Sequence, residues 1–354
     1  MTRMLHIVGS MSPSGIGNFI MNVYRNIDRE KVQFDFIVHE HREISFDDEI
    51  RALGGRLFYV TRKAVSPRRN FMEICRVVKE GNYKIVFRHT DTATVALDLL
   101  AARLGGAREL IAHSHSTSTP NERMHRLFQP MLNALCTKRF ACSDKAGKWL
   151  YGKKPYEVII NAINLSDFSY QEELRQKVRE AEKLEGMLVV GHIGNLLPVK
   201  NHLFMLDVMA ELVKLHPDAV MLFVGDGEMR PLIEEKREKL GLEKQVRLLG
   251  VRTDTAALLQ AMDVFLFPSK YEGLPIAMVE AQCSGLPNLV SDVITQDVDV
   301  TPLVHKLSLQ QPPKVWAEQI LKLSQEIRKA PERRLFTEKG FDIKEMVKRY
   351  EELA

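Results

Sequence analysis

The sequence is poor in the features that mark several large protein classes. Its four cysteines, Cys75, Cys136, Cys142 and Cys283, form neither a CxxC pair nor a zinc-ligand spacing. In a reducing compartment they read as free, mostly buried thiols. Long apolar runs are also missing: nothing approaches the ~20 apolar residues of a membrane span. The apolar run after Met1 is too short for a signal-peptide core, so a cytoplasmic location is expected. A GxxxxGK[ST] loop is absent, which argues against an ordinary P-loop NTPase. The dinucleotide fingerprint is incomplete as well. Gly15 and Gly17 would need a third glycine where Ile20 stands, and after Gly225 and Gly227 the corresponding place holds Arg230. Such glycine pairs are weak signals, although they let a backbone approach a ligand closely. No RNA- or DNA-binding motif is present, and no nucleic-acid partner is expected.

What remains is the composition of a folded globular chain, 45% apolar and 27% charged. At 354 residues it exceeds the size at which one core usually keeps growing, so two domains are expected. The charge is uneven: residues 1–160 hold 25 Lys and Arg against 16 Asp and Glu, and the remainder is net acidic. A basic half suits an anionic membrane surface or a phosphorylated acceptor, though scattered solvated charge is the commoner case.

Both halves open with a short β-type run and a glycine-containing turn, at residues 5–17 and 188–194. Further apolar runs follow at 34–38, 84–87 and 109–112, then at 220–225, 246–250 and 264–267, with helix-like stretches between them. Short apolar strands alternating with helices imply parallel sheets, hence two doubly wound α/β domains with ligands at the carboxyl ends of their strands. The spacing places the first domain at 1–165 and the second at 166–340. Ile343, Met346, Val347 and Tyr350 recur at helical intervals and predict a terminal amphipathic helix over about 341–354, packed back on the first domain.

The segment from Phe267 to Ala281 is the densest in chemistry. A strand ends, a polar loop follows, and a helix is predicted to begin around Pro275, a favourable first helical residue. Free amides at Ile276 and Ala277 would suit a diphosphate. Glu272 in the loop and Glu280 on the first turns would flank it with two carboxylates. These cannot bind phosphate, but they accept hydrogen bonds from hydroxyls. A nucleotide sugar has that layout: ribose, two phosphates, hexose.

Here the chain resembles glycosyltransferase family 4, the retaining GT-B enzymes, and within it the bacterial exopolysaccharide and capsule transferases. The resemblance rests on Glu272-Gly-Leu-Pro-Ile-Ala-Met-Val-Glu280 as the E-x(7)-E motif, on Val224-Gly-Asp-Gly-Glu228, on Leu249-Gly250, on Gly194 with Lys200-Asn-His202, and on His113-Ser-His-Ser116. It implies two Rossmann-like domains facing each other across a cleft, the first binding acceptor and the second donor. Gly15, Gly17, Gly225, Asp226, Gly227, Leu249, Gly250, Gly273, Leu274, Pro275 and Ile276 would then border the donor. By position, Glu280 would hold the ribose, Glu272 the transferred sugar and Lys200 the diphosphate, while His115 would face the donor sugar. His115, Glu272 and Lys200 form the implied catalytic set.

Two departures from the family pattern stand out. Asn195 occupies the place of a usual phosphate-binding arginine, which leaves open a lower donor affinity, a substitute cation such as Lys270, or lost activity. In the linker, Ala162 stands where glycine is common.

His113 and His115 suggest a metal at first sight, but no other His, Cys or carboxylate is expected at ligand spacing nearby. Asp297 and Asp299 look like a DxD metal motif, yet they follow no long apolar strand. No metal or other cofactor is expected. The helical stretch 123–135 carries Met124, Leu127, Phe128, Met131, Leu132 and Leu135 on one face, flanked by arginines, and could face the core or lie on a membrane.

The function implied is retaining transfer of a hexose or N-acetylhexosamine from a nucleotide diphosphate donor, UDP-linked by preference. The acceptor would be a saccharide carried on a lipid diphosphate at the inner membrane face. A catalytically impaired nucleotide-sugar-binding subunit and a GT-B hydrolase or epimerase are the alternatives.

Overall fold

The computed structural model describes residues 1–354 and divides the chain into two compact units. Unit 1 comprises Met1–Ala162 together with Ile343–Ala354, and unit 2 comprises Ile163–Asp342. The division after Ala162 falls slightly before the expected one at 165. Ala162 is wholly buried, and its backbone is not in the left-handed region, so the missing linker glycine causes no strain.

Unit 1 holds a seven-stranded parallel sheet of β1 (Thr2–Val8), β2 (Val32–Val38), β3 (Leu57–Tyr59), β4 (Ile85–Thr90), β5 (Glu109–Ser114), β6 (Lys138–Ala141) and β7 (Glu157–Val158). Their order is β3-β2-β1-β4-β5-β6-β7. Every residue of β2 is buried, as expected of a parallel strand covered on both faces. Its one charge, Asp35, is tolerated because Arg3 pairs with it at 2.5 Å and the Tyr83 hydroxyl donates to it at 2.6 Å.

After β1 the chain turns into the helix Gly15–Asn26, whose N-cap Ser14 accepts from the Gly17 amide. Gly17 is required by close approach, since a Cβ there would lie 2.1 Å from the Ser12 carbonyl oxygen. The terminal helix Ile343–Glu351 buries Ile343, Met346, Val347 and Tyr350 in the same core as Phe19, Phe34 and Phe87.

Unit 2 holds a six-stranded parallel sheet of β8 (Leu188–Ile193), β9 (Ala219–Val224), β10 (Val246–Leu248), β11 (Val264–Phe267), β12 (Asn288–Ser291) and β13 (Val304–Leu307). Their order is β10-β9-β8-β11-β12-β13. The helices His202–Leu215 and Pro313–Leu323 cover one face and contribute Met205, Leu212 and Trp316 to its core. The charged run after Gln171 forms the helix Glu172–Ala181, which buries no residue of its own. It is tied down by Arg175 and Arg179, which pair with Asp263 at 2.5 and 3.3 Å.

In each sheet the winding reverses beside the first strand, between β1 and β4 and between β8 and β11. The connections on the two sides leave in opposite directions there, opening a crevice at the strands' carboxyl ends.

Candidate active site

In unit 2 the residues at the β8/β11 crevice converge. Beyond β8 a short turn, Pro198–Lys200, ends at Asn201 in the left-handed conformation (φ 64°). Asn201 donates to the Pro268 carbonyl at 3.2 Å, and the Lys270 amide donates to the Val199 carbonyl at 2.8 Å. These bonds hold the loop after β11 against the turn after β8. They bring Lys200 and Glu272, 72 positions apart, into an ion pair of 2.6 Å. The Lys200 ammonium also lies 5.0 Å from the centre of the Phe267 ring. Both side chains are mostly enclosed, at 17% and 12% exposure, so the pair is far less screened than one at the surface.

The helix after this loop runs Ile276–Cys283, with Pro275 as its N-cap rather than its first helical residue. The amides of Ile276 and Ala277 therefore open the helix, with Gly273 and Leu274 completing the approach. Glu280 lies on the second turn, partly enclosed and without an ion pair, and burial pushes its carboxyl up from 4.5 to about 7. A carboxylate poised near neutrality gains most from a ligand that donates hydrogen bonds to it.

The remaining glycines of this site work through backbone approach. Gly225, at φ 134°, donates to the Gly250 carbonyl at 2.8 Å, and a Cβ on it would sit 2.1 Å from the Gly194 oxygen. The Leu249 amide extends the same junction by donating to the Phe223 carbonyl at 2.9 Å. Asp226 is occupied locally: its carboxylate accepts from the Gly227 amide at 2.8 Å and from Arg230 at 3.3 Å. Asn195 is exposed just beyond Gly194, and Lys270 is exposed in the loop that touches Val199. Asp297 bonds to Thr295, whereas Asp299 pairs with Lys306 at 2.9 Å.

Gly15, Gly17 and His115 belong to unit 1. Strand β4 runs to Thr90, beyond its expected end at Phe87, and its register sets His89 directly opposite His113 on β5. One ring nitrogen from each of His89, His113 and His115 lies within 4.8 Å of the other two. The expectation that no further ligand-type residue stands near His113 and His115 is thus corrected: the neighbour comes from an adjacent strand. Three imidazoles at that spacing could hold a metal ion. His113 is wholly buried between Phe19 and His115, and neither of its ring nitrogens has a partner. His89 reaches in the other direction to His6 on β1, at 3.0 Å. Burial pushes His6 and His115 down to about 3 and holds His89 and His113 well below the usual range. All four are neutral at physiological pH. Sequence reading passed over His6 and His89. The one local signal for this pairing is His6, a polar residue between the apolar Leu5 and Ile7; His89 lies in the polar end of β4, Arg88-His89-Thr90, and carries none.

The helix Glu122–Leu135 divides its apolar residues. Leu132 is buried and Phe128, Met131 and Leu135 pack against the core, while Met124 and Leu127 are exposed beside Arg123 and Arg126. No helix of the chain is long and apolar enough to cross a membrane.

Two doubly wound parallel sheets, with polar residues gathered at the switch point of each, define the architecture of the GT-B glycosyltransferases. The solved structure of HepE from Anabaena in complex with UDP and glucose superposes with a TM-score of 0.78 at 17% identity, covering 100% of this chain and 99% of that one. A glycosyltransferase from Rickettsia africae gives 0.80 at 14% identity, covering 99% and 97%. Residues 171–340 match the family model described as glycosyl transferases group 1. Over 333 residues the chain is 37% identical to EpsF of Bacillus subtilis, provisionally named a glycosyltransferase, covering 90% of this chain and 86% of that one. It is 28% identical over 299 residues to the Escherichia coli UDP-Gal:alpha-D-GlcNAc-diphosphoundecaprenol alpha-1,3-galactosyltransferase, covering 79% and 76%. The chain belongs to the group 1 glycosyl transferases and is a glycosyltransferase.

Proposed function

We propose that this enzyme transfers a hexose or N-acetylhexosamine from a UDP-sugar to a saccharide on a lipid diphosphate, with retention of anomeric configuration, in exopolysaccharide or capsule biosynthesis. The observation that carries the reading is the arrangement after β11: an open helix N-terminus at Ile276, Lys200 paired with Glu272, and the unpaired Glu280. The helix amides and the Lys200 ammonium suit two phosphates and would stabilise the departing UDP as its charge grows. Glu280 would accept from the ribose hydroxyls and Glu272 from the sugar. The attacking hydroxyl would approach on the leaving-group face, with a phosphate oxygen accepting its proton. The charge the leaving group develops is met by Lys200 and the amides, so the proposal requires no divalent metal.

The named activity of the Escherichia coli relative, and the name of a 24% identical Staphylococcus aureus relative as a capsular polysaccharide biosynthesis glycosyltransferase, support the donor, the lipid-linked acceptor and the pathway class. The basic residues of unit 1 and the exposed Met124 and Leu127 favour a cytoplasmic enzyme resting on the inner membrane face.

Incubation with radiolabelled UDP-sugars and a polyprenyl-diphosphate saccharide, in EDTA, tests the reading. The expected result is a product whose new linkage keeps the donor's configuration by NMR. Release of free sugar, conversion to an epimer, an inverted linkage, or activity appearing only with added Mn²⁺ would overturn it.

A further inference from the structure

The three imidazoles His6, His89 and His115 form a chain of hydrogen bonds along one face of the unit 1 sheet. His6 Nδ1 lies 3.0 Å from His89 Nε2, and His89 Nδ1 lies 2.9 Å from His115 Nε2. A neutral ring carries one N–H and one lone pair, so His89 must donate at one end and accept at the other. The whole chain can therefore run in only two senses. In one, every N–H points toward His6, so His6 Nε2 carries a proton and His115 Nδ1 is bare. In the other, every N–H points toward His115, so His115 Nδ1 carries the proton and His6 Nε2 is bare.

The surroundings of the two ends choose between them. His6 is fully buried among Phe34, Phe36 and Phe87, with Tyr350 beyond, and its Nε2 has no hydrogen-bond partner. A buried N–H without an acceptor is the rarer and costlier defect, and an unpaired lone pair is better tolerated. His115 is only partly enclosed, so an Nδ1–H there can reach water or a ligand.

We propose that His6 and His89 are positioning residues that fix the tautomer of His115, so that it presents an Nδ1–H donor to the transferred sugar rather than a lone pair. The inference rests on the reading of His115 as the sugar-facing residue. All three rings are then held as Nδ1–H tautomers, the form less favoured by free imidazole side chains in water. His115 acts as a hydrogen-bond donor that need not gain or lose a proton during transfer. Both ring nitrogens of His89 are then engaged, one accepting and one donating, so His89 has no free lone pair to offer a metal ion beside His113 and His115 and belongs to a proton-ordered chain instead of a metal centre.

Long-range ¹H–¹⁵N correlation spectra of ¹⁵N-histidine-labelled full-length protein, without donor sugar, read the tautomers directly. His115→Gln and His89→Phe assign the signals. The expected result is a protonated Nδ1 and bare Nε2 on His6, His89 and His115, with His115 reverting to Nε2–H in His89→Phe. An Nε2–H form of His115 in the wild type, or no change in His89→Phe, would overturn the proposal. So would stoichiometric Zn²⁺ or Co²⁺ binding that shifts the signals of His89, His113 and His115 together. The wild-type spectrum decides even where His89→Phe fails to fold. A separate assay of His115→Gln isolates the underlying reading: several-fold loss of kcat with UDP affinity retained is expected, and undiminished turnover would remove the sugar-facing role while leaving the measured tautomer standing.

Discussion

The two sheets place a buried histidine at comparable points of their first strands and use it differently. His6 on β1 is linked through His89 to His115 by two hydrogen bonds. His192 on β8 instead bonds the Leu266 carbonyl at 3.0 Å, its other nitrogen is unpartnered, and the nearby His202 touches it only edge to face. At the crevice above, unit 2 carries opposed full charges in Lys200 and Glu272, whereas unit 1 carries neutral rings. The contrast teaches where each kind of chemistry is affordable. An enclosed charge pair such as Lys200 and Glu272 can answer a ligand's charge, whereas neutral rings can be linked through the core without any charge being buried.

The sharpest way to break this division is to remove the charge from unit 2. Lys200→Ala leaves Glu272 enclosed without its partner and, on the proposed function, removes the cation that meets the donor diphosphate. Initial rates with radiolabelled donor should show a loss in kcat/KM of roughly 100-fold or more. A loss under threefold would mean that Lys200 has no part in the reaction.

Adding charge to the same crevice should sharpen the contrast. Asn195→Arg places a guanidinium at the exposed position beyond Gly194. UDP binding by calorimetry should tighten by as much as ~1.5–3 kcal/mol, less the entropy of ordering the side chain, with little change for uridine. Level or weaker UDP binding would show that Lys270 or another residue already supplies that charge.

A smaller effect should follow from Glu280, the one carboxyl here raised to about 7. Ribose hydroxyls donate to the ionised form, so donor binding below pH 7 should release a proton. UDP affinity should rise by up to about tenfold from pH 5.5 to 8 and level off above. Folding has the opposite sense. Glu280 contributes stability fully below its unfolded value of about 4.5, and that contribution is lost as pH rises through about 7. Glu280→Gln should flatten the binding profile and stabilise the protein at pH 8 more than at pH 4.5. Calorimetry in two buffers of different ionisation enthalpy, with urea unfolding at both pH values, checks both halves.

Much of this architecture was readable because its determinants are local. Apolar β-type runs marked β1, β2, β4, β5 and β8 to β11 but not the short strands β3, β6, β12 and β13, and the spacing of Ile343, Met346, Val347 and Tyr350 marked the terminal helix. The loop and helix from Phe267 to Ala281 kept their order, with Pro275 shifted to the cap. What stayed hidden depends on register between distant segments. The Lys200–Glu272 ion pair joins two crevice loops, and no local pattern announces it. His89 meets His113 because β4 pairs with β5 in one register; a slip of one residue would send it to the opposite face. His6, inside a fully apolar run, carries no sequence mark of its partner 83 positions away.

The terminal helix has a consequence for the order in which the protein is made. Unit 2 is a continuous stretch of chain, entered at Ile163 and left at Asp342, and those two residues pair as a parallel bridge. Unit 1 is discontinuous. Its core is closed by Tyr350, which stacks 5.1 Å from Phe87 and faces His6. On the ribosome, the portion synthesised second can therefore complete its fold first. The portion synthesised first waits with an open hydrophobic side, and the His6 end of the histidine chain is covered only when residues 343–354 have emerged.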